Sequence, residues 1–329
     1  IFKGAVITYK EMDEITDSIA AGLVDMGLIK GERVGVMMVN TPQFVMAYYG
    51  ILKAGGVVVA TNFLYTPREI EHQAKDSGMR FMFVMSNFYN NVKEVQHKTG
   101  IEKLIVTNLK ETLPPLTSLL FTLFKEKKGG FRIEKDPNDI TLPDMLAKYK
   151  GKPAPEVEVL PDDTAILQYT GGTTGVAKGA VGMHKGIVAN SCQLEMWVPN
   201  SVQGEEMMLM AIPMYHAYGM IVGMVFAVQL MSPMVMVPNP REVDDVLANL
   251  EKYRASIYPG VPAMYNSINN HPDVISGKVD VSSIKACISG SAPLMADTKM
   301  KFEGFTGGKL VEGYGLSETP VATHCNPIL

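Results

Sequence analysis

The residues with most capacity for chemistry lie in one stretch, Gln168-Tyr-Thr-Gly-Gly-Thr-Thr-Gly-Val-Ala-Lys-Gly-Ala180, which follows an apolar run. It holds four glycines, three threonines and one lysine. Glycine lets a backbone turn tightly and approach a ligand closely. Successive N–H groups and Thr hydroxyls make an anion nest, and Lys178 adds a full positive charge, a combination suited to a polyphosphate. Three familiar alternatives fail on spacing. Lys178 lies between Ala177 and Gly179, so there is no Gly-Lys-Ser/Thr phosphate loop. Gly313-Tyr-Gly315 has Glu318 where a dinucleotide fingerprint needs its third glycine. Ser291 is flanked by Ser289 and Pro293, not by the glycines of a hydrolase elbow. A bare surface turn would not need a lysine and three threonines.

His216 is the other notable side chain. A lone histidine in an apolar run is ordinarily a satisfied core residue, and only its flanking motif tips the reading toward function. His72, His97, His184, His271 and His324 show no pairing at metal-ligand spacing, which argues against zinc.

Four segments in order carry a resemblance. Tyr169–Gly179 resembles the phosphate-binding signature of the adenylate-forming superfamily, which includes acyl- and aryl-CoA synthetases, luciferases and peptide-synthetase adenylation domains. Pro213-Met-Tyr-His-Ala-Tyr-Gly219 resembles its Pro-x-x-His motif. Ser289-Gly-Ser-Ala-Pro293 resembles the adenine-side loop, and Glu312-Gly-Tyr-Gly-Leu-Ser-Glu-Thr319 the Tyr-Gly-x-x-Glu motif. Gly172 stands where Ser is commoner and Ala177 where Pro is commoner. With Asn239-Pro-Arg241 and the Leu113–Lys128 insert, these variants look most like the long-chain fatty acyl-CoA ligases.

The resemblance implies that a carboxylic acid is activated on ATP as an acyl-adenylate, with release of pyrophosphate, and is then passed to coenzyme A. An anion must meet a polyanion, so charge has to be neutralised and donors aimed in advance. Thr170, Gly171, Gly172, Thr173, Thr174 and Gly175 would wrap the β- and γ-phosphates, with Lys178 neutralising them. Glu318 would hold Mg²⁺, a hard cation that takes carboxylate and phosphate oxygens. Thr319 would donate to the α-phosphate. Tyr314 would lie against adenine within the segment Glu312, Gly313, Tyr314, Gly315, and Gly290, Ser291, Ala292 and Pro293 would form the opposite wall. His216 would border the acyl pocket and position the reacting carboxylate.

The pocket candidates Met214, Tyr218, Gly219, Gly223, Val261, Pro262 and Met264 are apolar or small. Amino-acid adenylation domains place an Asp near the histidine motif to pair with the substrate's ammonium. Met214–Met220 contains no acid, so such an ammonium would be buried unpaired at a cost. A medium- to long-chain alkyl acid fits better, gaining about 0.8 kcal/mol per buried CH₂. An aryl-CoA ligase, or an acyl-AMP ligase serving a carrier protein, is the enzymatic alternative. A non-catalytic nucleotide- or acyl-binding module is the alternative of another class, against which Lys178, Glu318 and Thr319 all speak.

The elements that must position these residues read as alternating α/β. A capping box at Thr8 and Glu11 starts a helix over 9–26. Thr41-Pro42 and Thr66-Pro67 start two more, with Pro at the tolerated first position. Arg33–Val39, Val57–Ala60, Phe81–Met85, Lys103–Thr107 and Ala165–Gln168 are continuous apolar runs, as expected of parallel strands buried on both faces. Further strands are expected at Met208–Ile212, Met234–Val237, Ser256–Tyr258, Ile284–Ile288 and Lys309–Val311. Ala217–Met231, at 15 residues, is too short for a membrane span and reads as a buried helix. In the 113–128 insert, Leu116, Leu119, Leu120, Leu123 and Phe124 at helical spacing precede Lys125-Glu-Lys-Lys128. Such a face could lie on a membrane surface; a short helix packed on the core with a solvated tail is the favoured reading.

Composition sets outer bounds. The 329 residues are 47% apolar and 19% charged, which excludes a largely disordered chain. Thirty basic against thirty-four acidic residues give −4, which argues against a nucleic-acid binder. Three cysteines are too few, and odd in number, for a disulfide scaffold. Twenty-three methionines suggest a Met-rich core. No basic-then-apolar signal segment opens the chain at Ile1; a cytoplasmic location, peripheral membrane contact through 113–128 and a homodimer are separate expectations.

The resemblance implies the large N-terminal lobe of an adenylate-forming enzyme, with two packed α/β subdomains and mainly parallel sheets covered by helices. Residues 29–194, including the phosphate loop 169–179, would form the first. Residues 1–28 and 195–329 would form the second, with the acyl pocket and adenine-side loops, and the active site would occupy the crevice between them. Family members continue with a ribose-binding Asp, a hinge and a C-terminal lobe carrying a catalytic Lys. None of these can be placed in this chain, so it is expected to be a poor catalyst alone.

Overall fold

The computed structural model describes residues 1–171, 176–198 and 200–328. The chain divides into two compact bodies, Phe2–His184 and Lys185–Leu329 with Ile1.

The first body opens with α1 (Tyr9–Asp25). Its N-terminus is closed by the expected box: the Thr8 hydroxyl accepts from the Glu11 N–H at 3.2 Å, and the Glu11 carboxylate accepts from the Thr8 N–H at 2.7 Å. Strands β1 (Arg33–Met37), β2 (Val57–Ala60), β3 (Phe81–Met85), β4 (Lys103–Thr107), β5 (Ile140–Thr141), β6 (Thr164–Thr170) and β7 (Lys178–Met183) form one sheet in the order β5-β4-β3-β1-β2-β6-β7. All neighbours are parallel except β6 and β7. Helices α2 (Pro42–Lys53), α3 (Pro67–Ser77), α4 (Tyr89–Gln96), α5 (Pro115–Phe124) and α6 (Leu142–Tyr149) supply the crossovers and coverings. The central strands are buried on both faces, which accounts for their unbroken apolar runs. The capping box of α3 joins Thr66 to Glu69, with Pro67 at its first position and Gly78 in the left-handed conformation (φ 62°) past its end.

The second body carries α7 (His184–Trp197), which starts at the boundary. Strands β8 (Met208–Met210) and β9 (Met234–Met236) pair in parallel. β10 (Ala286–Ser289) pairs in parallel with β11 (Lys309–Leu316), and β12 (Val321–Cys325) returns antiparallel to β11. Segment 256–260 bridges the two groups: Ile257 pairs with both Met208 and Ala286, and Gly260 with Ser289. Ser256–Tyr258, expected as a strand, forms only isolated bridges. Pro259 has no N–H to give, so the ladder cannot run unbroken. The expected buried helix is a π-helical segment, Gly219–Val225, followed by α8 (Phe226–Gln229). α9 (Val243–Tyr253), α10 (Pro262–Asn269), α11 (Pro272–Ile275) and α12 (Ala296–Thr306) complete the body. The core holds Tyr265 edge-on to both Tyr258 and Phe302, at 5.5 and 5.0 Å between ring centres. Met208, Met210, Met220, Met224, Met234 and Met236 are all buried in β8, β9 and the π-helical segment, so a good part of the methionine excess is core.

Two further expectations differ from the structure. Residues 1–28 were expected with the second subdomain, but α1 packs on α2 and α6, so all but Ile1 belong to the first body. The physical reason is the buried stripe Ile19, Ala20, Leu23, which α2 covers closely enough that a Cβ at Gly50 would overlap Ile19. Helix α5 does not bury its leucines either: of its residues only Phe121 is buried.

Gly219 shows how tightly the π-helical segment is seated. A Cβ there would lie 2.2 Å from the Pro213 carbonyl oxygen, a backbone atom that cannot swing away. Gly219→Ala is therefore expected to cost at least about 1–3 kcal/mol, lowering Tm by roughly 2–4 °C per kcal/mol. Gly304, within α12, has open space around the same position, so Gly304→Ala is expected to raise Tm slightly. Thermal melts of the two variants beside the parent check both signs.

Candidate active site

In the first body the Gly/Thr segment is the connection between β6 and β7. It therefore leaves the carboxyl end of a parallel strand, the edge where open α/β sheets bind ligands. Gly172, Thr173, Thr174 and Gly175 lie outside the described residues. Their flanks are well defined. Thr170 pairs with Lys178, Tyr169 with Gly179 and Gln168 with Ala180, so Lys178 opens β7 directly across from the last residue of β6. Gly171 and Lys178 are exposed, and Thr170 is partly so. Among the described residues no ion pair engages the Lys178 ammonium.

Two contacts that sequence reasoning did not foresee tie this connection down. The His72 ring, at Nε2, is 2.9 Å from the Ala177 carbonyl oxygen, which requires the proton on that nitrogen. The Tyr169 hydroxyl donates to Asp76 Oδ2 at 2.6 Å. Burial, reinforced by the neighbouring Asp76 carboxylate, pushes the Tyr169 phenol well above its ordinary pKa, so it stays a donor. His72 and Asp76 both sit on α3, so that helix holds the two described flanks of the connection, Tyr169 and Ala177.

In the second body three of the four motifs converge. A cavity of about 90 Å³ is lined by His216, Tyr218, Gly290, Ser291, Gly313, Tyr314 and Gly315 from those motifs. Leu194 of α7, Val222 of the π-helical segment, and His324 and Cys325 of β12 complete much of the wall. None of these four was singled out as a site residue from the sequence; His324 and Cys325 lie on β12, which was not anticipated. A larger neighbouring cavity of about 600 Å³ shares Tyr314, His324 and Cys325 and reaches Asn190, Trp197 and Glu312.

His216 follows Pro213 at the start of the π-helical segment. Its Nδ1 accepts the Tyr218 backbone N–H at 3.2 Å, which places the proton of the neutral ring on Nε2. The side chain is reached by solvent, yet enough protein surrounds the ring that desolvation lowers its pKa below 6.5. The ring is therefore neutral at pH 7, a donor through Nε2. If neutral His216 orients the substrate, activity should be flat from pH 8 down to about 6.5 and fall only below it. Stability has the same sign: the unfolded chain takes up this proton near 6.5 and the folded chain only lower, so His216 makes stability fall as pH drops below about 6.5. A pH profile of kcat/KM for His216→Gln beside the parent checks this, the variant being expected to lose that acid limb.

Tyr218 is buried, its hydroxyl donating to the Ile288 carbonyl at 2.5 Å, and Tyr265 donates to the same oxygen at 2.9 Å. Gly290 follows, and a Cβ there would lie 3.2 Å from the Tyr218 ring, close enough that the ring would have to give by a few tenths of an ångström. Ser291 has φ 66°, a left-handed conformation that costs a non-glycine residue about 1–2 kcal/mol. Ser291, Ala292 and Pro293 are exposed. Glu312 serves the scaffold: its Oε1 accepts the Leu294 N–H at 3.0 Å, tying the end of this loop to β11.

Tyr314 stands opposite His324 across β11 and β12 and is 60% exposed. Thr319 is fixed at the turn, its hydroxyl donating to the Leu316 carbonyl at 3.3 Å. Glu318 is exposed on the same turn and pairs with no cation among the described residues. No group of three or more metal-ligating side chains occurs among the described residues. One free carboxylate nonetheless suits Mg²⁺ carried on a polyphosphate, because that ion takes one or two carboxylates and keeps phosphate and water as its other ligands.

Of the acyl-pocket candidates only Tyr218 lines the 90 Å³ cavity. Met214, Gly219 and Gly223 are buried, Val261 and Pro262 are half-buried, and Met264 packs on the aromatic core. Among the described residues no Asp, Glu, Lys or Arg lines that cavity, so it offers no carboxylate to pair with a substrate ammonium.

The family model described as AMP-binding enzyme matches residues 1–329. The chain is 36% identical, over 99% of its length and 58% of the other's, to a long-chain-fatty-acid–CoA ligase of Bacillus subtilis. It thus spans little more than half the length of that relative. Among solved structures it resembles a long-chain-fatty-acid-CoA ligase from Archaeoglobus fulgidus, with TM-score 0.81 and 24% identity over 98% of this chain and 59% of that one. It also resembles an anthranilate CoA ligase solved with anthranoyl-AMP, with TM-score 0.83 and 20% identity over 99% and 58%. Both share the N-terminal lobe fold.

Proposed function

The chain belongs to the family of AMP-binding enzymes, and from that premise we propose that it is the nucleotide- and acyl-binding part of an ATP-dependent fatty acid–CoA ligase. The observation that carries the reading is the convergence of His216, Tyr218, Gly290, Ser291 and Tyr314, from three separated motifs, on one uncharged cavity. The names of the curated relatives support it.

The chemistry follows from the charges. A carboxylate oxygen attacks the α-phosphorus of ATP, the bond to the bridging oxygen breaks, and pyrophosphate leaves. The coenzyme A thiol then attacks the acyl carbon, loses its proton and expels AMP. In the first step Lys178, with Thr170, Gly171, Gly172, Thr173, Thr174 and Gly175, takes the β- and γ-phosphates. Glu318 would hold Mg²⁺, which when bound would supply positive charge against the leaving pyrophosphate. Thr319 donates to the α-phosphate, Tyr314 and residues 290–293 hold adenine, and the Nε2–H of His216 orients the carboxylate. The buried residues Met214, Gly219 and Gly223, with Val261, Pro262 and Met264, shape the alkyl pocket, where each added CH₂ strengthens binding by about 0.8 kcal/mol. Partners outside the reaction are a membrane surface reached through 113–128 and a second copy in a homodimer.

The test is a panel of acids given to the natural full-length protein with MgATP and coenzyme A, read as thioester. Preference for medium to long alkyl acids, rising with chain length, is the expected result. Preference for aryl acids would move the reading to an aryl-CoA ligase. Acyl-AMP that accumulates without thioester would move it to a ligase serving a carrier protein.

A further inference from the structure

Helix α5 is docked with its amphipathicity reversed. At 100° per residue, Leu119, Leu123, Leu116, Leu120 and Phe124 fall on one stripe about 140° wide. That stripe faces outward: Leu116 is 70% exposed, Leu123 65% and Phe124 71%. The inward contacts come from the other side. Phe121 packs edge-on against Phe131 at 5.2 Å between ring centres, and the Ser118 hydroxyl donates to the Lys110 carbonyl at 3.1 Å. The helix is thus fastened to the core by one aromatic ring and polar groups, leaving its other five large apolar side chains exposed, Leu120 least at 47%.

The charges after the helix are sorted just as clearly. Glu126, the single acid in Lys125–Lys128, is buried, where it meets Lys110 at 2.6 Å and accepts from Asn108 at 3.1 Å. Lys125, Lys127 and Lys128 remain exposed, and no ion pair engages them among the described residues. The outward end of α5 therefore presents only positive charge beside the apolar stripe.

We propose that α5 is a peripheral docking element for an anionic lipid surface, its Leu/Phe stripe lying at the acyl boundary and Lys125, Lys127 and Lys128 at the headgroup phosphates. Charge complementarity selects this occupant. Lysine is depleted in protein–protein interfaces, whereas an apolar face with a basic rim is what interfacial helices present to anionic bilayers. Ten residues are far short of the ~20 needed to cross a bilayer, and no helix among the described residues is long and apolar enough to do so. The docking deepens the peripheral contact proposed above; its use in drawing fatty acid from the bilayer rests on the ligase reading, while the docking itself does not.

The experiment is co-sedimentation of the full-length protein with phosphatidylcholine vesicles, with and without phosphatidylglycerol, at low and high salt. The protein should bind the anionic vesicles and be released by salt. Leu120→Glu with Leu123→Glu should weaken binding at least tenfold. Gln at Lys125, Lys127 and Lys128 should weaken it about fivefold per lysine, roughly a hundredfold in all. Both variants should keep their Tm and their pyrophosphate release with a water-soluble acid. Three outcomes would overturn the proposal: no vesicle binding, binding unchanged in both variants, or a Leu→Glu pair that only dissociates an oligomer, which would assign the stripe to a second copy. Vesicle binding without acid-dependent pyrophosphate release would leave the docking intact and sink the ligase reading instead.

Discussion

Glu318→Gln is expected to lower acid-dependent pyrophosphate release about 10²–10³-fold, the cost of removing one preorganised charge contact from a transition state. The side chain is exposed and pairs with no cation among the described residues, so the substitution removes charge and almost nothing else. Tm should move by no more than a surface substitution does, within about 0.5 kcal/mol of stability. The lost function should be partly restored by raising Mg²⁺, because the weakened ion can be driven back by concentration. Initial rates against Mg²⁺ concentration, beside a thermal melt, separate these effects. A loss under threefold at saturating Mg²⁺ would remove Glu318 from the proposed site.

Lys178→Ala should be nearly as damaging, about 10²-fold in kcat/KM for ATP. Lys178 is exposed and opens β7 across from Thr170. Its backbone pairing does not depend on the side chain, so the hairpin should persist in the variant. Arginine at the same position should recover part of the rate, since it restores charge while presenting a wider, planar donor group. Steady-state kinetics in ATP for the two substitutions check the order parent, Arg, Ala. Equal rates for all three would mean that the β- and γ-phosphates are held without this lysine.

How much was legible in the sequence depended on which physical signal each element carries. Strands β2, β3 and β4 lie where their apolar runs placed them, because a parallel strand buried on both faces has no alternation to misread. The capping boxes of α1 and α3 were equally plain, since their donors and acceptors are three residues apart. Strands β7 and β12 were missed because they are antiparallel returns of mixed polarity, with burial that does not alternate cleanly. β11 was expected to stop at Val311 but runs to Leu316, since Gly313 and Gly315 read locally as loop. The outward orientation of α5 was illegible for a different reason: helical spacing shows that a stripe exists, not which way it turns. At the site, the motifs pointed to His216, Tyr218, Ser291 and Tyr314, which share a cavity. The brace from His72 to Ala177 could not be read, because it joins residues 105 apart through a carbonyl that any residue carries.

The most direct test of the central claim, that this cavity and the β6–β7 connection serve an AMP-forming activation of a carboxylic acid, is pyrophosphate release by the natural full-length protein from MgATP without coenzyme A. The expected result is a burst of about one pyrophosphate per protein that requires a fatty acid, followed by slow turnover that accelerates when coenzyme A is added, with AMP as the nucleotide product. Release of inorganic phosphate with ADP, or no release with any acid tested, would contradict it.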